Sequence, residues 1–119
     1  MTNSKPVYDL EERTFQLAKR VRLYIKKLPK TMANIEDGKQ VIRASASIGA
    51  NYIEANEALS KKDFLMRIKI SRKEAKESAY FLRLIYETNQ QEFEEEGIEL
   101  QEESIQLKKI FSSIIEKSK

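Results

Sequence analysis

Two pairs of carboxylates stand one turn apart in this chain, Glu54-x-x-Glu57 and Glu74-x-x-Glu77. Residues three apart share a helix face, so each pair can present two acids to one partner. Helical bundles hold divalent metals with acids projecting inward from facing helices. An all-carboxylate set suits Mg²⁺ or Mn²⁺ and would support phosphate hydrolysis. The second pair is interleaved with Lys73 and Lys76, however, and internal ion pairing is the simpler use of the same acids. The 119 residues contain no His and no Cys. That removes the Glu-x-x-His elements of di-iron bundles, the commonest general base and any His-assisted serine triad. It also removes thiolate metal sites and disulfides. There is no glycine-rich phosphate loop. The pattern predicts a protein that binds and does not catalyse, with no cofactor and no metal; a carboxylate metal-dependent phosphohydrolase is the remote alternative.

The second chemical feature is basic. Lys19, Arg22 and Lys26 recur on one predicted helix, and Lys62, Lys69, Lys73 and Lys76 follow near-heptad spacing on another. Such stripes can track phosphates, with affinity that falls steeply as salt rises. Tyr24, Tyr80 and Tyr86 would add base stacking where they are exposed. No recognised nucleic-acid motif accompanies them. Charge is uneven along the chain: residues 1–89 carry 18 Lys and Arg against 11 Asp and Glu, and residues 90–119 carry 4 against 8. A basic body with an acidic last segment points to a polyanion partner, to charge pairing between helices or between subunits, or simply to a solvated helical surface.

The elements that must position these residues are helices. Gly and Pro are scarce, at three and two, and charged residues make up 34%; Leu, Ile, Lys, Glu and Ala dominate, as in long helices. The first helix is expected over roughly residues 7–28. Its stripe is Phe15, Leu17, Ala18, Val21, Tyr24, Ile25 and Leu28 at three- and four-residue steps, and Pro29 ends it. The second, over roughly 34–58, starts at Asn34 as cap with Asp37 three residues on. The third, over roughly 61–88, follows a Ser60-x-x-Asp63 box. An acidic connection over 89–97 leads to a fourth over roughly 98–117, with Leu100, Leu107, Phe111 and Ile114 on one face. Matched lengths and short loops predict one all-α domain spanning residues 1–119, an antiparallel up-down-up-down four-helix bundle. The absence of Cys makes a cytosolic address the expectation. Met1 to Tyr8 has no apolar core of a secretory signal, and no apolar run approaches the ~20 residues of a membrane span.

The second helix departs from generic composition. Seven residues between 44 and 55 are Ala, Ser or Gly, the kind that let helix backbones approach closely. A mid-helix Gly costs about 1 kcal/mol relative to Ala, so Gly49 implies something packed directly against it. Gln40, Ala44, Ser47, Asn51, Glu54 and Ala58 share one stripe. A polar network joining Asn51 and Glu54 to Lys73, Glu74, Lys76 and Glu77 is expected there, with a role in fixing helix register.

The run from Arg43 through Ala55, Ser60-Lys61-Lys62-Asp63-Phe64 and the run from Ile68 through Ser78 resemble the 23S rRNA intervening-sequence proteins, a family of four-helix-bundle proteins. The resemblance covers roughly residues 10–116. Its specific core is an Arg-Ala/Ser-x-x-Ser-Ile-x-x-Asn-x-x-Glu pattern followed by Lys-Glu-Ala-x-Glu. It marks Arg43, Ser47, Asn51, Glu54, Lys73, Glu74 and Glu77 as signature positions. It implies a small bacterial protein, an up-down bundle that assembles as a homopentamer, and no catalytic activity. A related branch, the accessory proteins of diversity-generating retroelements, forms basic pentameric barrels that bind nucleic acid and a reverse transcriptase. The resemblance thus implies self-association, with RNA, DNA or a protein as further partner; no membrane partner is expected, because the bundle core needs the apolar stripe of the basic first helix. This chain reads Tyr52-Ile53-Glu54-Ala55-Asn56 where many members have Ile-Ala-Glu-Gly, a subgroup difference.

Overall fold

The first three helices begin where a short side chain supplies the bond their free amides lack. In the computed structural model, which describes residues 9–119, Asp9 accepts from the Glu12 amide at 3.1 Å and opens α1, Leu10–Lys27. The helix stops as Leu28 turns extended ahead of Pro29. Thr31 accepts from the Asn34 amide at 3.1 Å and opens α2, Met32–Asn56. Ser60 accepts from the Asp63 amide at 3.0 Å and opens α3, Lys61–Glu87. A 3-10 turn, Gln91–Phe93, leads into α4, Glu94–Lys117. There is no strand among the described residues. The expected start of the first helix at Val7 lies outside them.

Two starts differ from the sequence expectation. Asn34 is not a cap: it is buried inside α2 and exchanges two 2.8 Å amide bonds with Asn89, tying the α1–α2 turn to the end of α3. Thr31 takes the capping role: its own backbone is extended, and its amide donates to the Pro29 carbonyl at 2.9 Å across a tight turn that delivers the chain to the helix start. The fourth helix begins four residues before the expected start at 98, so the acidic segment is its first turn. Glu94, Glu95 and Glu96 lie beside the positive end of the helix dipole, and no side-chain cap is needed.

The core is drawn from all four helices. Leu17, Val21 and Tyr24 meet Val41 and Ile48, Ile68, Leu82 and Ile85, and Leu100, Leu107 and Phe111, all essentially without solvent exposure. Two members of the expected stripes are placed differently. Phe15 is 59% exposed, and Ile115 takes the buried position on α4 where Ile114 is only half-buried. Neighbouring helices pair in opposite order. Arg13, Arg20 and Lys27 of α1 meet Glu103, Glu99 and Glu96 of α4. Arg43, Ile48 and Asn51 of α2 meet Glu77, Ser71 and Arg67 of α3. Gly49 lets α1 approach α2 closely: a Cβ there would sit 2.7 Å from Thr14 Oγ1. Gly97 plays the same part in α4, where a Cβ would lie 2.6 Å from both Tyr24 and Tyr86.

Candidate nucleic-acid interface

Small residues on both helices close the α2–α3 seam. Ala44, Ser45 and Ile48 on α2 and Ser71, Ala75, Ser78 and Ala79 on α3 are buried, which brings the Ser71 hydroxyl within 2.8 Å of the Ile48 carbonyl, to which it donates. Along the rim of this seam lie most of the signature residues. The Arg43 guanidinium bridges Glu77 at 2.6 Å and the buried Glu74 at 3.5 Å. Asn51 donates to the Ser47 carbonyl and hydroxyl, both at 3.0 Å, and its own oxygen accepts from Arg67 at 3.0 Å. Glu54 and Lys73 are exposed, and neither enters this network among the described residues. Asn51 therefore finds its α3 partner in Arg67 and not in the lysines and acids expected for it. Ser71 and Arg67 were missed by sequence reasoning. A signal for Ser71 exists: Ile68, Ser71, Ala75, Ser78 and Leu82 step by three and four, which puts the serine on the core face.

The four acids of the two Glu-x-x-Glu pairs do not converge. Glu74 and Glu77 face Arg43, while Glu54 and Glu57 are exposed. Among the described residues no group of three acids is placed to hold a metal ion.

The charge asymmetry of the chain has an intramolecular outlet. Acidic α4 lies along basic α1, with Arg13–Glu103 at 2.6 Å, Arg20–Glu99 at 3.0 Å and Lys27–Glu96 at 2.6 Å. The first is two-pronged, its second bond being 2.9 Å, and the hydrogen bond to Glu103 holds the Arg13 guanidinium charged beyond its ordinary range. Below Lys27, Tyr24 donates to the Phe93 carbonyl at 2.8 Å. Burial, and then the charge of Glu96, pushes its phenol up to about 12.

These pairs use one side of α1 and leave the other cationic. Lys19, Arg22 and Lys26 are exposed and form no ion pair among the described residues, and the same holds for Lys62, Lys69, Lys73 and Lys76. The two stripes are not one surface. α1 and α3 each pack mainly against α2 and α4, so their outer faces lie on opposite sides of the molecule. The α3 stripe is the more continuous. At 100° per residue, its four lysines fall with Met66 and Tyr80 within one narrow sector, over ~21 Å from Lys62 to Lys76. Of the three tyrosines considered for stacking, Tyr80 is 64% exposed, Tyr24 is buried, and Tyr86 is half-buried with its hydroxyl on Gln101 at 2.7 Å. The Tyr80 ring is braced edge-on by Phe81, with centroids 5.3 Å apart.

No helix among the described residues is long and apolar enough to cross a membrane. The fold is similar to that of a protein of unknown function from the S23 ribosomal protein family of Bacteroides thetaiotaomicron VPI-5482, known from a crystal structure. The two chains are 30% identical and superpose with a TM-score of 0.73 over 88% of this chain and 96% of the other. None of the curated proteins compared matches the chain. The family model described as 23S rRNA-intervening sequence protein matches residues 8–113. The match spans most of the chain and includes the whole α2–α3 seam, and the protein belongs to the 23S rRNA-intervening sequence protein family.

Proposed function

We propose that this chain is an up-down-up-down bundle that acts without catalysis in the bacterial cytoplasm, binding nucleic acid along the outer face of α3. One observation carries the reading: Lys62, Lys69, Lys73 and Lys76 form a stripe with no acid partner among the described residues and with exposed Tyr80 in line. Cations left uncompensated at that spacing attract a polyanion, and a solvent-facing ring beside them offers a stacking surface. The rest of the molecule favours a scaffold over an enzyme, because its acids are engaged in holding helices together or stand apart on the surface.

The test is binding to single-stranded RNA and to duplex DNA across a salt series. Four phosphate contacts give a log–log slope of roughly −3 to −4. Reversal of Lys69, Lys73 and Lys76 to Glu should abolish binding without loss of helicity, since all three side chains are exposed. Absence of binding by the native protein at low salt sinks the proposal.

A second reading, self-association into a homo-oligomer that serves as a structural or protein-binding module, is favoured by a different observation. Phe15, Leu23 and Ile53 are 59%, 50% and 46% exposed and line one groove between α1 and α2, and exposed apolar side chains gathered in one place suit a protein contact.

A further inference from the structure

The outer face of α3 carries more than charge. Over the first half of the helix lies a shallow depression of about 700 Å³. Its lining is apolar at Leu65, Met66 and Ile70 and cationic at Lys61, Lys62, Lys69 and Lys73. Met66 is 47% exposed. The four lysines are exposed and form no ion pair among the described residues. One turn beyond Lys76 comes the exposed Tyr80 ring, held edge-on by Phe81. Met66 and Tyr80 thus bracket Lys69, Lys73 and Lys76 in one sector, ~21 Å apart along the helix. The acids between them, Glu74 and Glu77, are both turned to Arg43.

A duplex and a single strand would meet this face differently. A duplex presents phosphates and sugars, with its base faces stacked inside. Met66 and Tyr80 would then lie against a charged backbone, which offers an apolar group nothing and loses its own water on contact. A single strand can turn its bases onto both side chains, because every base has a π-face. Entry into the major groove is closed to α3. That groove is ~12 Å wide and one helix with its side chains is ~10–12 Å across, whereas α3 has α2 and α4 packed along it. The sector from Lys62 to Tyr80 also has no Asn, Gln or Arg to fork onto a base edge, so stacking is what it offers a base. We infer that this face takes single-stranded nucleic acid in preference to duplex and without regard to sequence. One base lies on Met66 in the depression, another stacks on Tyr80, and the intervening phosphates sit on Lys69, Lys73 and Lys76.

The inference rests on the nucleic-acid reading and names the class of strand. It is tested by fluorescence anisotropy at low salt with three labelled probes: an oligothymidylate of about twelve nucleotides, the same strand paired into a duplex, and an abasic strand with the same number of phosphates. The oligothymidylate is expected to bind roughly tenfold or more tightly than either of the others. Tyr80→Ala should lower its affinity about tenfold and leave duplex binding unchanged, and Tyr80→Phe should restore it. Met66→Ser should act in the same direction, and circular dichroism should show both exposed-site variants folded. Failure of all three probes to bind overturns the nucleic-acid reading and this inference with it. Equal affinity for the abasic strand or the duplex overturns the inference and leaves phosphate binding on the lysines standing. A preference for the base-bearing single strand that neither Tyr80→Ala nor Met66→Ser reduces overturns the placement of the bases on α3.

Discussion

The α2–α3 seam and the α1–α4 seam are both bridged by polar side chains, at different depths. Between α2 and α3 the Ser71 hydroxyl reaches the Ile48 carbonyl with no solvent exposure, and small residues on both sides allow that approach. Between α1 and α4 the bridges are long: three ion pairs of 2.6–3.0 Å between side chains 28% to 57% exposed. Water and salt compete for the second kind of contact and have no access to the first. Exposed pairs typically contribute ~0–1 kcal/mol, whereas misfitting a packed interior costs ~1–3 kcal/mol. Burial, more than the number or sign of the bridges, ranks the two seams. The α1–α4 pairs matter more for which helix lies beside which than for how firmly the chain is folded.

That ranking can be broken in four places. The largest effect is expected from Ser71→Leu, which forces a branched side chain against the α2 backbone and should lower unfolding free energy by about 2–3 kcal/mol; a denaturant melt reads it, and a loss near zero would show that the seam is loosely packed. Next is the buried end of the α1–α4 seam, tested by pH. The Tyr24 phenol stays protonated in the native state up to about 12, against 10.0 ordinarily. Its contribution is therefore complete below about pH 10 and disappears as pH rises through about 12, roughly 2–3 kcal/mol in all. Tyr24→Phe should remove that segment of the stability–pH curve; an unchanged alkaline limb would place the cause elsewhere. Third, Arg13→Ala should cost about 1 kcal/mol and Arg20→Ala about half that or less, both shrinking in molar salt. Equal losses would show that the two-pronged geometry of Arg13–Glu103 adds nothing. The last comparison, with the smallest single effect at Ser78, lies within α3. Ser71→Ala should cost about 1 kcal/mol for its buried bond. Ser78→Ala should be neutral or slightly stabilising, because the Ser78 hydroxyl is buried with no partner among the described residues.

The readable parts of the chain are those set by neighbours in sequence. The Ser60 start is legible because a cap and the amide it serves are three residues apart. The close approach at Gly49 is legible because a glycine inside a helix is costly unless something occupies its missing side chain, here Thr14. Asn34 misleads for the opposite reason. Its residue type suits a cap equally well, and only the arrival of Asn89, 55 positions away, decides that it is a buried amide pair. Phe15 misleads likewise: its spacing fits the apolar stripe, but the stripe is wider than the part of α1 that α2 and α4 cover. For the candidate interface, the lysines and their period are visible in the sequence. Which of them pair with acids is not, because Lys27 and Lys26 are adjacent on the chain and only Lys27 faces Glu96.

By itself the sequence determines the four helices, since period, caps and prolines act within a turn or two; the family, through the block from Arg43 to Ser78; and the lack of His and Cys chemistry. Tertiary structure decided the rest. It set acidic α4 against basic α1 within one chain and turned Glu74 and Glu77 toward Arg43. It left the α3 lysines without an acid and opened a groove between α1 and α2. Each of those outcomes depends on which helix faces meet across the core, and residues many turns apart in sequence settle that by excluding water together.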